Sequence, residues 1–346
     1  MLRFATLFLA LWALLAPLSA AAGPSLIFDA KTGDVLHAEK PMAPWFPASL
    51  TKLMTAYLTF EAIHDGRLKE DQDIVASALA HEQPMSKLGM PIGGRIRVDF
   101  ALKVLIVMSA NDVAVMLAEA VGGSVDNFVK RMNETAFRLG MTGTRFVNPH
   151  GLPAPGQVTT ARDMGLLAQA VLRDFPEYAE LFGLERVKIG KRWIRSHNPV
   201  LGRFEGADGM KTGYICASGY NLVASASRGE RRLIAVVLGA TSGGARKEAA
   251  LDLLEKGFNG GWPQPVSAKI DELSPARTYG LRPEHMGPVV CRGRYGNGGD
   301  AYEVDARLRE QAEERRIAEA AKVVAAADAP IPTLRPEPIP TLRPEH

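Results

Sequence analysis

Cysteine is scarce: only Cys216 and Cys291 occur in the 346 residues, so at most one intramolecular bridge can form and a disulfide scaffold is excluded. Two thiols cannot complete a cysteine-based zinc site, and the seven histidines fall at no metal-ligand spacing, so no metal is expected. Excess charge of one sign is lacking too. The formal net charge is +3 and no run of Lys and Arg concentrates it, which argues against nucleic acid as a partner. A membrane-spanning helix needs about 20 apolar residues, and the most apolar stretch, residues 4–15, is shorter.

That stretch fits a secretory signal peptide. Arg3 precedes it, and Pro17 and Ser19 lead into Ala20-Ala21-Ala22, the small-residue pattern of a cleavage site. Residues 1–22 are therefore expected to be removed and the mature chain exported. With 47% of residues hydrophobic and 23% charged, the remainder holds enough apolar material for one large domain or two smaller ones.

Residues 23–262 read as one mixed α/β domain. Ser25-Leu26-Ile27-Phe28 and Val35-Leu36-His37 flank a Gly-containing turn, which predicts a hairpin. Apolar residues at helical spacing run from Leu50 to Ile63, and again on both sides of a polar break at Ser109-Ala110-Asn111. Thr160-Ala161-Arg162-Asp163 resembles a capping box and should start a helix. Short apolar runs at 210–215, 221–226 and 233–240 predict adjacent antiparallel strands, followed by a helix over 246–258. After Trp262 the texture changes. Residues 263–346 are expected to form an extension with a polar, Ala-rich helix at 306–327 and a flexible tail carrying IPTLRPE twice.

Three short motifs point to chemistry: Ser49-Leu50-Thr51-Lys52, Ser109-Ala110-Asn111 and Lys211-Thr212-Gly213. None is specific alone, because Lys31-Thr32-Gly33 and Ser196-His197-Asn198 repeat two of them. The first repeat reads as a hairpin turn and the second as a polar loop. Ser-x-x-Lys occurs only at Ser49, and the order and context of the three select the functional copies.

A serine at a helix start lies near free backbone N–H groups and the positive end of the helix dipole. Lys52, three residues on, shares its helical face. Alone, the pair would read as a cap and a solvated lysine. As a base, Lys52 must be neutral, which requires burial or a nearby cation, and Lys211 can be that cation. Ser109 can relay a proton to a leaving amine, and the Asn111 amide can hold a substrate carbonyl. Lys211 and Thr212 suit a carboxylate, Gly213 leaves room for a substrate along the strand, and the Tyr214 N–H can join that of Ser49 in an oxyanion hole. Strand periodicity puts Cys216 on the Thr212 side. That would set it near the cleft, but a small buried residue at a strand end is the favoured reading, and a bridge to Cys291 is possible.

The segments FPASLTKLMTAY (46–57), SANDVA (109–114), NPHGL (148–152) and GADGMKTGY (206–214) resemble the low-molecular-mass penicillin-binding proteins of the D-alanyl-D-alanine carboxypeptidase family over about residues 25–260. The resemblance implies a β-lactamase-like (penicillin-binding protein transpeptidase) fold, with an antiparallel sheet packed between helical clusters. It also implies an acyl-enzyme mechanism without metal or organic cofactor. Peptidoglycan stem peptides would be the substrate, β-lactams covalent inhibitors and cell-wall biogenesis the setting. Ser49, Lys52 and Ser109 would be catalytic, and Asn111, Lys211, Thr212, Gly213 and Tyr214 would bind substrate.

Two features depart from the family pattern: Cys216 beside the third motif, and the absence after residue 262 of a β-rich domain or an amphipathic anchor. The helix at 306–327 carries only Leu308, Ile317, Val323 and Val324 as larger aliphatics, so a soluble periplasmic protein is expected, with residues beyond 262 dispensable for hydrolysis. A D,D-endopeptidase of the same fold fits the motifs equally. A β-lactamase fits less well, lacking a Glu-x-x-x-Asn between Asn111 and Lys211. A non-catalytic peptidoglycan-binding scaffold should have lost a catalytic residue, and all are present.

Overall fold

The computed structural model describes residues 23–262, 266–274 and 282–291. The signal peptide, the Ala-rich helix and the repeated tail expected from the sequence lie outside these residues. The strands are β1 (Ser25–Asp29), β2 (Val35–Glu39), β3 (Asp73–Val75), β4 (Arg95–Arg97), β5 (Arg186–Ile189), β6 (Arg192–Arg195), β7 (Ala207–Ile215), β8 (Gly219–Arg228) and β9 (Arg231–Ala240). Five of them form one antiparallel sheet in the order β2-β1-β9-β8-β7, with the small pairs β3-β4 and β5-β6 beside it. β7 is thus an edge strand, open on one side to whatever lies across from it.

The helices are α1 (Lys52–His64), α2 (Ala78–His81), α3 (Val98–Val107), α4 (Asn111–Gly122), α5 (Val125–Arg138), α6 (Ala161–Asp174), α7 (Ala179–Phe182), α8 (Gly243–Asn259) and α9 (Gly287–Val290). Their ends follow the expected capping chemistry. Thr160 Oγ1 accepts from the Asp163 N–H at 3.0 Å, Ser242 Oγ does the same for Ala245, and α4 stops at Gly123 with φ +75°.

Strand alternation sends side chains to two cores. Phe28, Val223, Ile234 and Val236 face the helical cluster around α1, α3, α4 and α6, while Ile27, Leu222, Ala224 and Leu233 face α8. The sheet is therefore sandwiched between helices, as the family resemblance implied. α1 is buried over nearly its whole length, Leu53, Met54 and Phe60 being 0% exposed. A helix sealed on all sides can hold a lysine at its first residue away from water.

The division expected at Trp262 is not a packing boundary. Val35 N–H donates to Ala268 O, Ile270 N–H to Gly33 O, and the buried Arg162 to Ile270 O. Further on, Met286 N–H donates to Ala217 O and Cys291 is bonded to Cys216. Cys216 is accordingly half-buried and bridged, not the free buried residue favoured from the sequence. The expectation failed because spacing carries no information about a partner 75 residues away.

Candidate active site

Ser49 lies in a single 3-10 turn, Ala48–Thr51, that runs into α1. Ala48 takes a left-handed φ of +47°, a conformation that costs a non-glycine residue energy and persists where surroundings enforce it. Lys52, 0% exposed, donates from Nζ to Ser49 Oγ at 3.0 Å, to Asn111 Oδ1 at 2.7 Å and to His150 O at 2.8 Å. Burial, and then the charge of Lys211, hold its pKa well below the usual lysine value, while Asp112 pulls the other way. The Lys52 amine is thus biased toward the neutral form a base requires, beside the one hydroxyl it could deprotonate.

Ser109 sits between α3 and α4 with φ +62°, a second strained residue. Its hydroxyl accepts from Lys211 Nζ at 2.9 Å. Lys211, on β7, is buried, which together with Arg246 lowers its pKa to about 7. Asn111 opens α4; its Nδ2 donates to Pro84 O at 2.9 Å and its backbone N–H to Ser86 O at 2.7 Å. The second Nδ2 hydrogen is left for a substrate.

Gly213 serves a contact that the sequence did not point to. A Cβ there would lie 2.9 Å from Pro47 O and 3.2 Å from Leu50 N, so the bare backbone lets β7 close on the nucleophile's own turn. Ser49, Ser109, Asn111, Thr212, Gly213 and Tyr214 line one cleft of about 430 Å³. The second copies of the motifs fall elsewhere: Lys31-Thr32-Gly33 forms the β1–β2 turn, and Ser196 and Asn198 lie in a loop.

Several residues that matter here escaped the sequence reading. Arg246 on α8 reaches into the cleft, with Cζ 5.7 Å from the Tyr220 ring centroid and bonds to Asn221 O and His197 O at 3.3 and 3.5 Å. Burial lowers its pKa to about 10, so it keeps its charge at neutral pH. His197, in the dismissed second motif, also lines the cleft, its pKa lowered by burial and by Lys211. The carboxylate of Asp112 accepts from the N–H groups of Leu88 and Gly89 at 2.9 and 2.8 Å. It thereby ties down the loop whose Pro84 and Ser86 hold Asn111. His150 O, within the quoted NPHGL segment, completes the Lys52 shell. The neighbouring Gly151 has φ +88°, and its absent Cβ would strike Ala48 O at 1.8 Å.

Among the described residues no group of His, Cys, Asp and Glu could hold a metal ion. What the cleft offers is a hydroxyl beside a buried amine, a second hydroxyl beside a second amine, and an arginine for an anion.

A family model described as D-alanyl-D-alanine carboxypeptidase matches residues 13–242. The chain is 38% identical over 244 residues to the D-alanyl-D-alanine carboxypeptidase DacD of Escherichia coli K12, covering 68% of this chain and 63% of that one. It is 33% identical over 240 residues to DacF of Bacillus subtilis 168, covering 68% and 61%. The chain thus spans less than two thirds of the length of these relatives. Among solved structures, penicillin-binding protein 6B from Escherichia coli superposes with a TM-score of 0.66 at 36% identity, covering 68% of this chain and 77% of that one. Penicillin-binding protein D2 from Listeria monocytogenes, in its ampicillin-bound form, gives 0.61 at 31% identity, covering 68% and 97%.

Proposed function

The chain belongs to the D-alanyl-D-alanine carboxypeptidase family of penicillin-binding proteins, and from that membership we propose that it removes the terminal D-alanine from peptidoglycan stem pentapeptides through an acyl-enzyme on Ser49. The observation that carries the reading is the buried Lys52 amine, 3.0 Å from Ser49 Oγ, with its pKa held down.

The substrate carboxylate binds Thr212, Lys211 and Arg246, which are brought together in or beside the cleft. The scissile carbonyl then lies between the Ser49 and Tyr214 N–H groups, which take up the developing oxyanion. Ser49 Oγ attacks the carbonyl carbon and its proton passes to Lys52 Nζ. Ser109, bonded to Lys211, hands its proton to the departing amine as the C–N bond breaks and is reprotonated by Lys52, which returns to the neutral amine as D-alanine leaves. Asn111 holds the acyl chain's carbonyl. Water then attacks the ester, Lys52 takes its proton and returns it to Ser49 Oγ as the ester bond breaks, and Ser49 is restored. A β-lactam presents the same carboxylate and a strained amide, so it acylates Ser49 and inhibits the enzyme.

The protein acts after export to the periplasm. The apolar segment before Ala20-Ala21-Ala22 supports this, and no helix among the described residues is long and apolar enough to cross a membrane. Incubating purified protein with stem pentapeptide tests the reading. Free D-alanine and tetrapeptide are expected; intact pentapeptide, with cleavage of cross-linked dimers instead, would make the protein an endopeptidase.

A further inference from the structure

The bridge between Cys216 and Cys291 has no part in the chemistry above, yet it lies against a residue that lines the cleft. Cys216 follows β7 by one residue and lies two beyond Tyr214, which lines the cleft. Tyr214 Oη is 3.2 Å from Cys291 Sγ and 3.9 Å from Cys216 Sγ. The Tyr214 ring packs on Tyr220, another cleft residue, with centroids 4.4 Å apart.

Residues 282–291 touch both sides of this end of the site. Met286 N–H donates to Ala217 O in the turn after β7. His285 meets Phe46 edge-on at 6.2 Å, three residues before Ser49. The segment therefore ties the turn that follows Lys211-Thr212-Gly213 to the residues that lead into the nucleophile.

The direction of a substrate follows from charge. Its carboxylate belongs at Lys211 and Thr212 and its reacting carbonyl at the N–H groups of Ser49 and Tyr214. The acyl portion must then leave past Tyr214 toward Ile215 and Cys216. At about 3.3 Å per residue, Thr212 to Ile215 at the end of β7 spans roughly 10 Å of edge strand, the length of about three substrate residues, and Cys216 follows at once.

We propose that residues 282–291, held by the Cys216–Cys291 disulfide, form the end wall of the groove for the acyl side of the substrate and so determine which peptide lengths are accepted. This rests on the peptidase reading above. Without the bond the segment keeps one four-residue helix and few backbone bonds to the rest of the domain, and a wall so attached loosens. Both cysteines are half-buried, within reach of a small reductant. A dithiol adds two electrons and two protons to the bridge, giving two thiols, and is itself oxidised to a cyclic disulfide.

The test compares full-length wild type with the Cys216→Ser/Cys291→Ser double variant on two substrates, the stem pentapeptide and a short acetyl-capped D-alanyl-D-alanine. Titration with a labelled penicillin counts competent nucleophiles in each sample, so activity is expressed per acylating centre. The ratio of kcat/KM for long over short substrate should change about fivefold or more in the variant, through KM. Dithiol treatment should move wild type to the same ratio and leave the variant where it is. An identical ratio in oxidised, reduced and variant protein overturns the wall while leaving the peptidase standing. Wild type that neither labels nor releases D-alanine overturns both.

Discussion

Lys211 and Lys52 are coupled: after burial itself, the charge of Lys211 is the largest cause holding down the Lys52 pKa. Each donates to a different serine, Lys211 to Ser109 and Lys52 to Ser49. One lysine thus sets the protonation of the other without touching its nucleophile.

Replacing Lys211 should act through both roles. Loss of a charge-assisted contact costs on the order of 2 to 4 kcal/mol in transition-state stabilisation, so Lys211→Ala should lower kcat/KM on pentapeptide by at least about tenfold. Removing a positive charge also raises the Lys52 pKa, so the acid limb of the pH–rate profile should move to higher pH. The wild-type profile should carry a second feature. Lys211 in the free enzyme loses its proton through about pH 7, so kcat/KM should fall on the alkaline side, and this fall should vanish in the variant. An acid limb that stays put, measured by kcat/KM from pH 5 to 10, would uncouple the two lysines.

Arg246 stays charged where Lys211 does not, since its pKa is about 10. It should therefore be the main cation for the substrate carboxylate above neutral pH. Arg246→Ala is expected to raise KM by roughly tenfold or more with a smaller change in kcat, the signature of lost ground-state binding. Arg246→Lys should recover only part, because an ammonium lacks the planar fork that pairs with a carboxylate. Equal losses in kcat and kcat/KM would instead assign Arg246 to the transition state alone.

Gly151 carries a structural prediction. Its φ of +88° is strained for any other residue, and a Cβ would meet Ala48 O at 1.8 Å. Gly151→Ala should cost about 2 kcal/mol or more. In a domain of this size that lowers Tm by about 4 to 8 °C, measured by thermal unfolding. Because His150 O is a Lys52 partner, the shift should also reduce turnover. An unchanged Tm would show that the 148–152 loop can move aside freely.

Much of this was legible because each element carried its own local signal. The hairpin of β1 and β2 announced itself through Gly33, α6 through the Thr160 cap, and β7 to β9 through short apolar runs between turns. The three motifs were legible as spacing, and the fold brings all three to one cleft. What stayed hidden depends on contacts between distant residues. Arg246 is one of three cations on α8 and belongs to no motif, and only the fold brings it beside Lys211. The role of Gly213 is set by Pro47 and Leu50, more than 160 positions away. The return of residues 266–274 and 282–291 to the domain rests on backbone bonds such as Ile270 to Gly33 and on a disulfide, for which no periodicity or propensity gives notice.

If Ser49 is the nucleophile, it is the residue that a penicillin labels. Wild-type protein would be incubated with a labelled penicillin, quenched, digested and mapped by mass spectrometry, beside Ser49→Ala treated identically. A single penicilloyl adduct is expected on the peptide bearing Ser49 and none anywhere in the variant. An adduct on a different residue, or labelling that survives the substitution, would contradict it.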